Sequence, residues 1–148
     1  MLDLRNIDCF ELLSQTGNNT IDLVLTDPPY GMNFQSNARK VKYDKIQNDE
    51  NLDWLSIWVD ELRRVVKSDS HLYIWCSWHN IEKFKIEISR QFKIKNVIIW
   101  SKGGGGMGDL NGGYGGTYEM CIFVNNGKAL IQTISILHQN ELMKCNNN

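Results

Sequence analysis

Pro28 and Pro29 are the only prolines in this 148-residue chain, and they sit just beyond the run Ile21-Asp22-Leu23-Val24-Leu25-Thr26 and Asp27. The run is short, β-branched and apolar, and Asn18-Asn19 bounds its other end. It reads as a buried strand that stops at Thr26, because neither proline can donate to a sheet ladder. The prolines also fix their own φ and push the residues before them towards extended geometry, so Asp27 is held stiffly at the strand's carboxyl end.

The rest of the chain alternates between two periodicities. A short strand is expected at Leu4 to Ile7, followed by one or two helical turns at Phe10 to Leu13. A polar stretch up to about Glu50 reads as loop. From Leu52 onward Leu55, Trp58, Val59, Leu62, Val65 and Val66 recur at helical spacing with charged residues between them, which predicts an amphipathic helix capped by Asn51. His71 to Cys76 reads as a second strand, Ile81 to Phe92 as a second amphipathic helix and Ile94 to Trp100 as a third strand. Thr117 to Val124 gives a fourth strand, turned by Asn125-Asn126-Gly127. Strands separated by helices imply crossovers and a mostly parallel sheet covered on both faces. The last two strands have no helix between them and should be antiparallel. The fold class is α/β.

Composition limits the function classes. The apolar fraction of 42% and charged fraction of 22% are those of an ordinary globular domain. No apolar run approaches membrane-spanning length, and no secretory signal is visible at Met1 to Arg5, so a cytoplasmic protein is expected. The net charge of -1 gives no global field for a polyanion, although Arg39, Lys40, Lys42 and Lys45 form a dense local patch. Cys9, Cys76, Cys121 and Cys145 are widely spaced and do not suggest a disulfide framework. Cys76 and His79 have a C-x-x-H spacing, but no second pair completes a zinc site, so no metal is expected.

Nine of the twelve glycines fall between Gly103 and Gly116. Gly103-x-Gly105-x-x-Gly108 formally satisfies the dinucleotide fingerprint. That motif works only when a helix N-terminus follows, and here Asp109 to Gly116 lead into a strand. The segment reads as a strand connection near the ligand edge of the sheet.

Asp27-Pro28-Pro29-Tyr30 carries the chemistry. It lies at the carboxyl end of a core strand, the edge where open α/β sheets bind ligands. An acid, exposed carbonyls and a flat aromatic ring converge there, an arrangement suited to a planar group bearing an NH2 donor. The bland alternative is a proline turn beside a surface tyrosine.

The tetrapeptide resembles the catalytic motif of amino-directed DNA methyltransferases, and the resemblance extends to both sides. Asn6 to Leu13 followed by Asn19 to Thr26 is similar to the opening of family members whose catalytic motif is near the N-terminus. Ile98 to Lys102, Gly108, Tyr118-Glu119 and Phe123 to Lys128 are similar to their later segments. The resemblance implies a Rossmann-like methyltransferase sheet, mostly parallel with an antiparallel terminal hairpin and only part of the full sheet. Residues 1–128 would form the catalytic-motif part and residues 129–148 a poorly defined tail.

It also implies S-adenosylmethionine as cofactor, with Asp8 bonding its adenine amine, the Cys9 backbone beside it, and Asp27 shared between cofactor and substrate. Asp27 and the Pro28 carbonyl would accept from the exocyclic amine of an adenine flipped out of double-stranded DNA, Pro29 would stiffen the turn, and Tyr30 would stack on the base. An aromatic amine is a poor nucleophile, because its lone pair is delocalised; two fixed acceptors draw the nitrogen towards tetrahedral character. An acid in the first position favours adenine N6 in this family, with cytosine N4, RNA or a protein glutamine as alternatives. Site-specific modification, as in restriction-modification, is the implied setting.

One family element is not found after Lys128: the Phe-x-Gly-x-Gly-type loop that holds the methionine end of the cofactor. Two alternatives follow. A second chain supplies that half, or the chain is an inactive remnant that binds DNA or a partner without catalysis.

Overall fold

The computed structural model describes residues 3–33, 49–103, 112 and 116–127. The basic patch at Arg39 to Lys45, most of the glycine segment, the tail from 128 onward and Cys145 lie outside them. The order of elements is α1 (Cys9–Gln15), β1 (Ile21–Thr26), α2 (Leu55–Val65), β2 (Val66–Cys76), α3 (Ile81–Gln91), β3 (Ile94–Ser101) and β4 (Tyr118–Asn126). Residues 3–8 are not a strand, contrary to the expectation at Leu4 to Ile7. Leu4 is 84% exposed and pairs with no strand among the described residues.

The four strands form one sheet in the order β1-β2-β4-β3. β1 and β2 are parallel, while β4 is antiparallel to both of its neighbours, so β1, β2 and β3 all point the same way. The antiparallel terminal hairpin is therefore β3–β4. Asp27, Ser77 and Lys102, each just past the end of its strand, fall on a single carboxyl edge, and the beginning of β4 joins them there.

Each helix buries one stripe. In α2 the buried residues are Leu55, Trp58, Val59, Leu62 and Val65, and in α3 they are Phe84 and Ile88. They pack on Leu72, Ile74 and Cys76 of β2 and on Ile122 and Val124 of β4. At about 1.5–3 kcal/mol per fully buried large apolar side chain, this stripe-on-sheet contact dominates the stability. The helix α2 begins at Leu55, three residues later than expected. Asn51 Oδ1 accepts from the Asp53 N–H at 3.0 Å instead of capping the helix. At its other end α2 runs into β2 without a loop, because Val66 turns extended while its N–H still bonds the Leu62 carbonyl.

Strand pairing fixes which side chains share a face. Leu72, Ile74, Val124 and Ile122 point to the helices, whereas Leu23, Leu25, Tyr73, Trp75, Phe123, Ile98 and Trp100 point away from them. Among the described residues no helix packs against that second face. Leu23 and Leu25 are 57% and 69% exposed, so β1 is not the buried strand expected: it sits at the edge of the described sheet, with a neighbour on one side only.

Candidate active site at the carboxyl edge

The α1 helix is anchored at both ends by side chains. Asp8 caps its start, Oδ1 accepting from the Phe10 N–H at 2.8 Å, and Glu11 in the first turn complements the dipole. Arg64, from the end of α2, donates to the Leu13 and Thr16 carbonyls at 2.7 and 2.8 Å and pairs with Glu61. A cation thus joins the carbonyls at the helix end, of which that of Leu13 also accepts from the Thr16 N–H at 3.0 Å. This cross-tie holds Asp8 and Cys9 against the carboxyl end of β1.

Between them lies an open cleft of about 440 Å³ lined by Asp8, Cys9, Phe10, Asp27, Pro28 and Pro29, with Trp54 and Trp58 in its wall. All the expected cofactor-side residues and three of the four residues of the tetrapeptide therefore share one concavity. The donor set fits the adenosyl end of S-adenosylmethionine: a carboxylate pinned by a backbone N–H, a second carboxylate at a strand end, and aromatic and apolar walls.

Tyr30, the fourth member, turns back on Asp27. Its hydroxyl donates to Asp27 Oδ1 at 2.5 Å. Burial first, then the bond to Asp27 and the negative charges of Asp27 and Glu119, raise the Tyr30 pKa well above the usual phenol range. It stays a neutral donor, and one oxygen of Asp27 is already engaged. A tyrosine free to stack was the sequence-based expectation; the structure adds a hydroxyl that steadies the carboxylate.

Two residues that the sequence did not single out brace this turn. Asp49 is buried, 4% exposed, and its Oδ1 accepts from the N–H groups of Gly31 and Met32 at 2.8 and 3.2 Å. Its carbonyl accepts from the Asn33 N–H at 2.6 Å. Asn80 Nδ2 donates to the Tyr30 carbonyl at 2.7 Å. Asp49 falls in a polar stretch with no periodicity, and an Asn directly before a helix reads as a cap, so neither gave a local signal. Gly31 sits at φ 68° with Leu52 against it, which only glycine tolerates there.

Other candidates separate. Cys76 is buried on the helix-covered face, and burial pushes its thiol up to about 12, whereas His79 is exposed. Among the described residues no group of three His, Cys, Asp or Glu side chains is placed to hold a metal, and no helix is long and apolar enough to cross a membrane. The Cys9 thiol, exposed at the cleft mouth, is raised by partial burial and by Asp8.

Residues 21–147 match the family model for DNA methylases. The chain belongs to the DNA methylase family. Among curated relatives, the DNA adenine methyltransferase YhdJ of Escherichia coli K12 is 29% identical over 119 residues, 79% of this chain and 38% of the relative. The type II methyltransferase M.BamHI of Bacillus amyloliquefaciens is 32% identical over 103 residues, covering 66% of this chain and 22% of its own length. This chain thus spans well under half the length of these curated relatives. Of solved structures, M1.HpyAVI superposes with a TM-score of 0.62 at 20% identity, over 87% of this chain and 57% of that one. The PvuII DNA methyltransferase, named as cytosine-N4-specific, gives 0.60 at 16% identity, over 82% and 48%. The Rossmann-like methyltransferase sheet is therefore the fold, present here in part.

Proposed function

We propose that this chain carries the substrate-amine and adenosyl-binding side of an S-adenosylmethionine-dependent DNA methyltransferase acting on adenine N6. The observation that carries the reading is the shared cleft: Asp8 and Cys9 line the same concavity as Asp27, Pro28 and Pro29. When bound, S-adenosylmethionine supplies an electrophilic methyl group.

The protein's part is orientation and electrostatics. Asp27 accepts one hydrogen of the target amine through the carboxylate oxygen not held by Tyr30, and the Pro28 carbonyl accepts the other. Tyr30 keeps the carboxylate from rotating and presents its ring to the base. Asp49 and Asn80 fix the turn that bears Tyr30. Asp8, its carboxylate held by the Phe10 N–H, takes the adenine amine of the cofactor. An acid at position 27 and the name of the YhdJ relative both favour adenine; cytosine N4 is the runner-up, as in the name of the PvuII enzyme. Such an enzyme would act on DNA in the cytoplasm as part of site-specific modification.

A second reading concerns completion of the site. β1 pairs only with β2 among the described strands, and its Leu23 and Leu25 side chains are largely exposed. The edge is suited to pairing with a further strand-bearing segment that supplies the methionine-binding half.

The test is calorimetric titration with S-adenosylmethionine, then labelled-methyl incorporation into DNA, RNA and protein. Cofactor binding with transfer to adenine in duplex DNA, abolished by Asp27→Ala, supports the reading. Transfer to RNA or protein alone overturns the DNA assignment, and no binding at millimolar cofactor overturns it for the isolated chain.

A further inference from the structure

The turn between β2 and α3 carries a feature that neither the fold nor the amine-binding site uses. Trp78 is 57% exposed, an unusual place for the largest apolar side chain. Its ring lies against His79, with centroids 3.9 Å apart and planes 32° apart. The turn beneath is ordered by its own bonds. Ser77 Oγ is 3.1 Å from His79 Nδ1, the His79 N–H reaches the same hydroxyl at 3.3 Å, and the Asn80 N–H donates to the Ser77 carbonyl at 3.1 Å. The exposed ring is therefore held on a rigid turn.

That turn is also tied to the amine-binding loop. Asn80, the next residue, donates to the Tyr30 carbonyl at 2.7 Å. Trp78–His79 and Asp27–Tyr30 are thus joined through one side chain along the same carboxyl edge. Further aromatic groups line that edge: Trp100 is 39% exposed, meets Trp75 edge-on at 5.8 Å, and has Lys102 Nζ, itself ion-paired with Glu119, 5.9 Å from its ring centroid. Exposed rings with a nearby cation are the arrangement by which proteins hold unpaired nucleotides, since every base offers a π-face.

We propose that the Trp78–His79 pair is a stacking platform for a nucleobase of the DNA strand beside the target nucleotide. The proposal rests on the DNA-methyltransferase reading and extends it to a contact outside the amine pocket. A base displaced or unstacked next to a flipped nucleotide loses its neighbour, and the exposed face of Trp78 replaces it. The Asn80 link places this contact in fixed relation to Tyr30, so binding of the flanking base and positioning of the target amine are mechanically joined.

The experiment is fluorescence-anisotropy titration of the full chain with a labelled single-stranded deoxyoligonucleotide of mixed sequence, for the wild type, Trp78→Ala, Trp78→Phe and His79→Ala. Trp78→Ala is expected to weaken binding roughly 5- to 100-fold, the usual loss for a base–aromatic stack, and Trp78→Phe to restore most of it. The salt dependence should keep its slope, because stacking releases no counterions. Replacing the bases by abasic residues should weaken the wild type more than Trp78→Ala. Wild-type affinity in Trp78→Ala, or an equal abasic loss in both proteins, overturns the platform and leaves the methyltransferase reading intact. A wild type that binds no oligonucleotide also overturns the platform; the methyltransferase reading is judged separately by cofactor titration. An unchanged thermal transition in Trp78→Ala shows that the loss is one of contact and not of folding.

Discussion

Replacing Asp49 by alanine probes the bracing of the site without touching any group placed in contact with substrate. The substitution removes an acceptor that serves the Gly31 and Met32 N–H groups, both part-buried, at 2.8 and 3.2 Å. A hydrogen bond to a charged group contributes about 1.5–3 kcal/mol, and a buried donor left without a partner costs about 1–3 kcal/mol. Because the two donors are only partly buried, water reaches one of them, and the combined loss is about 2–4 kcal/mol. Asp49→Asn keeps an acceptor oxygen and loses the charge, so about 1 kcal/mol is expected. Urea denaturation followed by tryptophan fluorescence reads the global part. With a slope of about 2 kcal/mol per molar for a domain of this size, the midpoint of Asp49→Ala falls by about 1–2 M. Where the loss is confined to the loop, amide exchange at Gly31 and Met32 accelerates instead. The Tyr30 phenol reports on the site itself. Freed from its fixed turn, it titrates closer to the ordinary value of about 10. An Asp49→Ala midpoint equivalent to within about 0.5 kcal/mol of wild type, with unchanged Gly31 and Met32 exchange, refutes the bracing role.

Four further outcomes are expected. In a spectrophotometric alkaline titration of the phenols, Tyr30 ionises above the ordinary phenol value of about 10, and Tyr30→Phe removes that step. Its raised pKa means the folded state holds the proton more tightly than the unfolded state. The associated stability is therefore complete below the unfolded value of about 10 and declines as pH rises above it, so the alkaline limb of the stability profile flattens in Tyr30→Phe. Arg64→Ala leaves the Leu13 and Thr16 carbonyls without their cation and costs about 2–3 kcal/mol in chemical denaturation. Arg64→Lys recovers less than half, since one ammonium cannot span both carbonyls and Glu61. Gly127→Ala drives its Cβ into the Ser68 carbonyl and Asp69 Oδ1 at φ 150°, and lowers the melting temperature by several degrees. In a Cys145→Ser background Cys9 reacts with a thiol reagent in the native protein, while Cys76 and Cys121, buried and pushed up to about 12 and 11, react only on unfolding.

Legibility in the sequence followed the range of the interactions concerned. β1 is found where its β-branched run and the prolines set it, and the helical stripe of α2 runs through the buried Leu55, Trp58, Val59, Leu62 and Val65. These elements are determined within a few residues by side-chain periodicity and by backbone groups that proline removes. The false strand at Leu4 to Ile7 has the right composition, but a strand exists only through a neighbour, and pairing is not written locally. Likewise the absence of a described helix over Leu23, Leu25 and Trp75 is invisible to periodicity, which marks these residues as apolar without saying what covers them.

The same distinction runs through the site. The residues assigned to chemistry, Asp8, Cys9 and Asp27 to Tyr30, are short-range features: a cap before a helix and a proline-stiffened strand end. The residues that aim them come from far along the chain, Asp49 from eighteen residues beyond Gly31 and Asn80 from fifty beyond Tyr30. Arg64 reaches back to Leu13 across fifty-one. Each of these ties joins α1 or the Tyr30 turn to a segment that follows it in the chain. On the proposed reading Asp27 holds an amine in fixed geometry, and such a carboxylate has to be immobile before the amine arrives. In this chain the long-range ties supply that immobility: Arg64 secures the helix capped by Asp8, while Asp49 and Asn80 hold the turn from which Tyr30 reaches Asp27.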